Sequence, residues 1–157
     1  MRDAKPAASA PRASAPRPVW GIALVAMAPF PVSAVLYAYG PPQYAHAALG
    51  VLLSWSAVVL SFLGGVRWGM ETARPIPRWT RLAASVVSPV GSWLLLLGRD
   101  SVQTHLLLLG LLAAFLAQWL FDHSAPDVPS RYPNLTTVLT LGACLSLAVA
   151  LEQALRL

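Results

Sequence analysis

The chain has 157 residues, of which 57% are hydrophobic and only 11% charged, and its mean hydropathy is +0.61. A water-soluble protein of this length could not bury so much apolar surface, so the composition excludes an ordinary soluble domain. The net charge of +5 comes from basic residues at the ends of apolar segments, which excludes the single basic face that nucleic-acid binding requires. We therefore expect an all-α polytopic membrane protein, a bundle of about five transmembrane helices, with no nucleic-acid partner.

Residues 1–18 are rich in Ala, Pro, Ser and Arg. This composition predicts a disordered basic tail, because it can neither bury apolar area nor continue a helix through its prolines. Residues 19–157 are expected to form one transmembrane domain. Its first span, about 19–39, is too long for the apolar region of a secretory signal peptide and is interpreted as a retained anchor. Pro29 and Pro31 predict a bend in this span. Neighbouring helices must then cover the backbone groups that the bend exposes.

Four more apolar segments predict further spans at about 44–70, 81–97, 101–121 and 135–155. A helix needs about 20 residues to cross a membrane, so all four are long enough, and the segment 44–70 is long enough to tilt or to project beyond the membrane. Asp100 and Gln103 predict a capping box for the fourth span, and Asn134 is predicted to cap the fifth. Residues 122–133 are polar and rich in proline, which predicts a loop.

The positions of Lys and Arg predict the orientation, since these residues are enriched in cytoplasmic loops. With the N-terminus inside, only Arg99 and Arg156 of the 11 basic residues lie outside. Four tryptophans then fall at the inner boundary and three tyrosines at the outer one: Trp20, Trp68, Trp79, Trp119, Tyr37, Tyr39 and Tyr44. We expect a bacterial inner (cytoplasmic) membrane protein with its N-terminus cytoplasmic and its C-terminus periplasmic.

Small residues at four-residue spacing predict the surfaces through which the helices pack. The second span offers Ala57 and a packing motif of four residues, Ser61, Gly64, Gly65 and Gly69. The third and fifth spans offer two further series: Ala84, Ser88 and Ser92, then Gly142, Ser146, Ala150 and Ala154. The alternative is that Ala, Gly and Ser are simply common in membrane helices.

Residues 61–69, Ser-Phe-Leu-Gly-Gly-Val-Arg-Trp-Gly, resemble the signature of the domain-of-unknown-function 3429 family, the transmembrane protein 69-like small membrane proteins. The proline-bearing loop and the start of the last span are also similar to that family, whereas Arg131-Tyr132-Pro133 departs from its pattern of an aromatic pair followed by a basic residue. The resemblance implies a helical membrane fold and, if the source is eukaryotic, the mitochondrial inner membrane. It implies no activity.

Arg67 is the most costly residue to place at membrane depth, so it requires a charged partner or must extend its side chain to the boundary. Glu71 lies one helical turn later and offers a local partner. Alternatively, Arg67 meets Asp122 at the inner boundary, with Trp68, Glu71 and His123 around them. That arrangement would form a candidate polar site for an anionic headgroup or a partner subunit.

No catalytic, metal-binding or cofactor-binding residue is predicted, because the chain lacks the motifs of metalloproteases, nucleophile elbows and phosphate-binding loops. His46 and His105 lie near the outer ends of two spans and could ligate one haem, but the expected role of each is in a helix interface. Asp122, His123 and Asp127 are the only candidates for an enzyme that acts on lipid. We expect no enzyme activity and no cofactor.

Three classes of function remain. The favoured one is a non-catalytic accessory or assembly subunit of a larger energy-converting membrane complex, respiratory or photosynthetic, whose partners are membrane lipids and other membrane-protein subunits. The alternative is a small-molecule or lipid transporter that acts as a homo-oligomer, because bent helices would permit a cavity. The third is the lipid-acting enzyme.

Overall fold

The computed structural model describes residues 17–123 and 132–156. This part of the chain forms six α-helices and no strand: α1 (Arg17–Met27), α2 (Pro29–Tyr39), α3 (Pro42–Thr72), α4 (Trp79–Leu97), α5 (Thr104–His123) and α6 (Tyr132–Arg156). Five helical segments are long and apolar enough to cross a membrane, the first being α1 and α2 together. The predicted all-α bundle of about five spans is confirmed, while most of the predicted tail lies outside the described residues.

The fourth span begins later than predicted. The backbone N–H of Ser101 bonds to the carbonyl of Gly98 at 2.9 Å, so the chain completes a turn before α5 starts at Thr104. The carbonyl of Gln103 then accepts bonds from the first turn of α5, including one from Leu107 at 3.3 Å. The cap predicted for a helix starting at Ser101 is therefore wrong.

The loop before the last span is shorter than predicted at both ends. Helix α5 continues to His123, which places Asp122 on a helix, and α6 already begins at Tyr132. Asn134 consequently lies inside α6 rather than at its cap. The intervening residues 124–131 lie outside the described part.

The first span is interrupted at Ala28, directly before Pro29. Proline lacks a backbone N–H, so carbonyls in the preceding turn lose their usual donors. The carbonyls affected are those of Val25 and Met27. The carbonyl between them, that of Ala26, accepts a hydrogen bond from the indole Nε1 of Trp55 on α3 at 2.9 Å. Ser33 Oγ donates to the carbonyl of Pro29 at 2.6 Å. A neighbouring helix thus bonds to the backbone of the interrupted turn, and Ser33 bonds back within its own helix.

Replacing Trp55 with Phe is expected to lower the free energy of unfolding by roughly 1 kcal/mol, because the Ala26 carbonyl loses its donor while the aromatic packing is kept. The measurement is reversible unfolding in mixed micelles. The matched control is Trp93→Phe on α4, where the side chain is 59% exposed and the loss should be small. Equal losses for the two variants would contradict the bond's role.

The apolar core lies between α2, α3, α5 and α6. Phe30 and Phe115 meet edge to face at its centre, with ring centroids 5.8 Å apart, and buried leucines surround them: Leu52, Leu60, Leu108, Leu111 and Leu147. By contrast, the buried side chains of α4 are Ser85 and Ser92. Helix α4 therefore sits at the edge of the bundle and is held through small residues.

The predicted packing motif of α3 is divided between two faces. A Cβ on Gly64 would lie 2.6 Å from the carbonyl oxygen of Ser85 and 2.8 Å from Pro89 Cδ, so α4 approaches the bare backbone there. A Cβ on Gly65 or Gly69 would meet nothing within 4 Å, and Ser61 is exposed.

Within the described chain, Ser61, Gly65 and Gly69 thus do not pack against another helix, contrary to the predicted motif. The reason is geometric, because adjacent helical residues point about 100° apart and Gly64 cannot share a face with Gly65. The other two series do face the bundle, since Ser92, Ser146 and Ala150 are buried and Gly142 lies against the Met27 sulfur.

The antiparallel helices define two sides of the bundle. On one, called the Arg67 side, α3 and α5 end while α4 and α6 begin. On the other, called the Arg99 side after the residue that follows α4, α3 and α5 begin.

Candidate functional site

Arg67 on α3 and Asp122 on α5 form an ion pair near the Arg67 side, with Nε and Oδ1 2.5 Å apart. The two residues are 55 positions apart in sequence and meet because both helices end on this side. The Asp122 side chain is 1% exposed and that of Arg67 is 14% exposed. Of the two partners that the sequence left open for Arg67, the structure joins it to Asp122.

The ion pair continues into the bundle as a chain of polar side chains. Gln118 lies one helical turn before Asp122 and extends its Nε2 toward Asp122 Oδ1 at 3.4 Å. Ser88 on α4 donates to Gln118 Oε1 at 2.5 Å. Arg67, Asp122, Gln118 and Ser88, here called the polar track, therefore connect three helices.

The polar track carries a large electrostatic cost that its internal bonds offset. Charges removed from water lose several kcal/mol of solvation each, and the mutual attraction of a close pair compensates for this only with good geometry. Asp122 Oδ1 accepts from both Arg67 and Gln118. Its Oδ2 is buried and has no hydrogen-bond partner in the described part of the chain. Asp122 can thus accept a further hydrogen bond at Oδ2.

A cation–π contact adds to the environment of Arg67. Its guanidinium carbon lies 5.6 Å from the ring centroid of Phe121, close enough for an attraction of about 0.5–1 kcal/mol at an exposed site. Phe121 was not among the residues predicted for this site. Its position directly before Asp122 is the only signal that could have indicated it.

Two other predicted members of the site point elsewhere. His123 is exposed, stacks on Trp119 with ring centroids 4.3 Å apart, and has its Nδ1 3.1 Å from the Trp119 carbonyl. Trp68 is also exposed. Neither side chain belongs to the polar track.

Glu71 is buried but belongs to the turn between α3 and α4 rather than to the Arg67 pair. Its Oε2 lies 3.2 Å from Arg74 Nε, and its Oε1 accepts the backbone N–H of Arg78 at 2.8 Å. Because Arg78 directly precedes α4, Glu71 fixes the point at which the chain re-enters the bundle. Of the five predicted site residues, Arg67 and Asp122 therefore form one centre and Glu71 a second, while Trp68 and His123 belong to neither.

Comparison with known proteins identifies the family of the chain. The sequence model described as Protein of unknown function (DUF3429) matches residues 15–152. The chain belongs to the DUF3429 family. Transmembrane protein 69 of Xenopus tropicalis is 34% identical over 140 residues, which cover 87% of this chain and 54% of the relative. The chain thus spans about half the length of that relative, and no solved structure matches it.

The DUF3429 match confirms the resemblance carried by residues 61–69 and covers the whole polar track. In the described part of this DUF3429 chain, no three His, Cys, Asp or Glu side chains cluster as metal ligands would. His46 is exposed and His105 half-buried, while Asp127 lies outside the described residues. The absence of enzyme activity stays a prediction.

Proposed function

We propose that the chain is a non-catalytic accessory or assembly subunit of a larger energy-converting membrane complex, respiratory or photosynthetic. The proposal rests on one surface of α3, called the small-residue face and made of Ser61, Gly65 and Gly69. These residues are exposed, and open space surrounds the Cβ positions of both glycines. Small residues at four-residue spacing allow two helix backbones to approach closely in lipid. Since no described helix of the chain occupies this face, its partner is a helix of another protein.

The residues beside the small-residue face support this interpretation. Phe62 and Trp68 are exposed and lie next in sequence to Ser61 and Gly69, so bulky side chains border the small residues of this face. Glycine in a helix costs about 0.5–1 kcal/mol relative to Ala. Close packing of a partner helix against the glycines would offset that cost, whereas packing of lipid chains against them would offset little of it.

We further propose that the Arg67 side faces the cytoplasm or the mitochondrial matrix. The fold places Arg67, Arg74, Arg78 and Arg81 at or near that side, whereas Arg99 follows α4 on the opposite one. This distribution favours an inward-facing N-terminus, in a bacterial inner membrane or in the mitochondrial inner membrane of a eukaryote.

The experiment is native gel electrophoresis of the tagged chain after gentle extraction in digitonin. We expect the wild-type chain to migrate within a much larger complex, and a Gly65→Leu, Gly69→Leu double variant to migrate at its own size. The matched control is Gly21→Leu on α1, where a Cβ also meets nothing within 4 Å and the complex should persist. The melting temperature of each purified variant verifies that it is folded.

Two outcomes would overturn the proposal: migration of the wild-type chain alone, or equal migration of wild type and double variant. A complex that contains only copies of this chain would favour the second candidate, a small-molecule or lipid carrier. The observation behind that candidate is the polar track, since ionisable groups at membrane depth often mark transport pathways. A carrier would lose transport on Gln118→Leu while keeping its assembly.

A further inference from the structure

Two arginines on neighbouring helices, Arg67 on α3 and Arg81 on α4, lie near the Arg67 side. Helices α3 and α4 touch where Gly64 faces Ser85, since a Cβ on Gly64 would lie 2.6 Å from the Ser85 carbonyl oxygen. From this contact Arg67 lies three residues along α3, and Arg81 lies four residues back along α4. Because α3 ends and α4 begins on the Arg67 side, both positions are displaced toward that side, by about 4.5 Å and about 6 Å. The two residues, here called the arginine pair, therefore differ in depth by no more than about one helical turn.

The arginine pair also shares a direction, because both residues lie on helix faces that contact α5. Arg67 reaches α5 through its bond to Asp122. Ser88 lies seven residues after Arg81, close to two full turns, so both residues lie on one face of α4. On that face Ser88 donates to Gln118 of α5. The arginine pair thus lies where α3, α4 and α5 meet, at the end of the polar track nearest the Arg67 side.

Both guanidinium groups of the arginine pair have hydrogen-bond donors that no described residue uses. Arg67 donates through Nε to Asp122, and its two Nη nitrogens have no acceptor within the described chain. Arg81 is half-buried, and its guanidinium group has no hydrogen-bond or ion-pair partner among the described residues. By contrast, Arg74 on the same side is paired with Glu71. A charge withdrawn from water without a partner is costly, so the arginine pair favours an anion beside it.

The charges at this position define the anion that fits. Arg67, Arg81 and Asp122 together carry one positive charge in excess, because the carboxylate is paired with one guanidinium group only. The planar fork of an arginine matches the oxygen atoms of a phosphate group. A phosphodiester has one negative charge and would restore neutrality, whereas the Asp122 carboxylate would repel any further negative charge. The arginine pair therefore suits a phosphodiester better than a multiply charged anion.

The location of the arginine pair at the end of the spans favours a lipid as the source of that phosphate. Trp79 precedes Arg81 by two residues and is 81% exposed, and Phe121 beside Asp122 is 54% exposed. Exposed aromatic side chains at the ends of spans are typical of the headgroup level of a membrane. The Arg67 guanidinium carbon lies 5.6 Å from the ring centroid of Phe121, so it approaches the surface of the bundle. Basic sites between transmembrane helices are known to bind lipid headgroups.

We propose that the arginine pair binds the phosphodiester group of one anionic phospholipid. Arg67 donates from its two Nη nitrogens, and Arg81 donates from the edge of the bundle. The phosphate supplies the acceptors that both guanidinium groups lack, and it completes the bonds at the end of the polar track. The hydrocarbon chains of the lipid extend along the surface of the bundle beside Phe121.

The arginine pair and the small-residue face lie on different sides of α3. Gly65 precedes Arg67 by two residues, which corresponds to about 200° around a helix, so the two residues point in nearly opposite directions. A lipid on the arginine pair therefore leaves the small-residue face open to a partner helix. Native electrophoresis tests the partner and lipid titration tests the arginine pair, so either proposal can fail alone.

The test titrates the purified full chain in detergent with phosphatidylglycerol, phosphatidylcholine or inorganic phosphate. Bound ligand is counted by native mass spectrometry, and the melting temperature is measured in parallel. We expect one phosphatidylglycerol to bind and stabilise the wild-type chain more strongly than phosphatidylcholine, whose choline group cancels the phosphate charge. Arg81→Gln should weaken the affinity for phosphatidylglycerol about tenfold, since it removes a charge-assisted bond, and should leave the lipid-free melting temperature unchanged.

A second variant and a matched control separate a bound phosphate from a general loss of positive charge. Arg67→Lys keeps a cation beside Asp122 but lacks the Nη donors, so it should also weaken the binding of phosphatidylglycerol. Arg99→Gln makes the same change as Arg81→Gln on the Arg99 side, where the arginine side chain is 57% exposed. This control should bind phosphatidylglycerol as the wild type does.

Four results would overturn the proposal. Wild-type affinity in Arg81→Gln would remove Arg81 from the site, and an equal loss of affinity in Arg99→Gln would show that only the net charge matters. Equal affinity for phosphatidylcholine would show that the charge of the lipid is not recognised. Equal affinity for inorganic phosphate would assign the arginine pair to a free anion instead of a lipid.

Discussion

Replacing Asp122 with Ala is expected to lower the free energy of unfolding by about 3–5 kcal/mol, the usual cost of removing one partner from a buried ion pair. The carboxylate is almost fully buried and is bonded by Arg67 and Gln118. Its removal leaves a cation at membrane depth without a counter-charge and a buried amide without its acceptor. The measurement is the unfolding equilibrium in mixed micelles.

A double-mutant cycle separates this loss from a general defect in packing. The variant with Arg67→Leu and Asp122→Ala removes both charges, so it should recover most of the stability that either single substitution loses. The matched control is Glu152→Ala, which breaks the exposed pair with Arg156 and should cost less than about 1 kcal/mol. A double variant no more stable than Asp122→Ala would refute the role of the ion pair.

The sequence predicted the fold well because membrane spans are specified by the length and apolarity of local segments, which need no tertiary information. The ends of the helices were less predictable, and this error affected the candidate site. Ending the fourth span at Phe121 left Asp122 in a loop with no defined direction. Helix α5 in fact continues to His123, so Asp122 lies on the same helical face as Gln118. A helix extended to this point would have indicated Asp122, rather than Glu71, as the partner of Arg67.

Other members of the site required tertiary information. Ser88 was identified only as a small packing residue, and nothing local indicates that it bonds to Gln118. Trp55 likewise looks like any other aromatic residue in a span. Only the tertiary structure shows that its indole donates to a carbonyl of the interrupted first span. Both contacts depend on which helices are neighbours, and hydropathy does not specify that.

The distinction between Gly64 and Gly65 shows where a better prediction was possible. The buried positions Leu52, Ser56, Leu60 and Leu63 recur every three or four residues, as one helical face does. Gly64 falls on the edge of this face and Gly65 does not. Had the bulky residues been used to fix the phase of α3, the four-residue motif would have been divided correctly.

Replacing Gly64 with Ala is accordingly expected to cost about 1–3 kcal/mol, near the upper end of that range for an added methyl group in a packed contact. The new Cβ would lie 2.6 Å from the Ser85 carbonyl oxygen and 2.8 Å from the Pro89 ring. Neither obstacle is a flexible side chain, so α4 must shift as a unit. The loss should be measured as a lower melting temperature and a weaker unfolding equilibrium in micelles.

The matched control is Gly65→Ala, one residue along the same helix, where the added Cβ meets nothing within 4 Å. This change should be neutral or slightly stabilising in the isolated chain, since Ala favours the helix over Gly by up to about 1 kcal/mol. Opposite signs for two neighbouring glycines would show that α4 packs on the Gly64 face alone. Similar losses at both positions would place a contact on the small-residue face within the chain itself, and would remove the basis for a partner helix there.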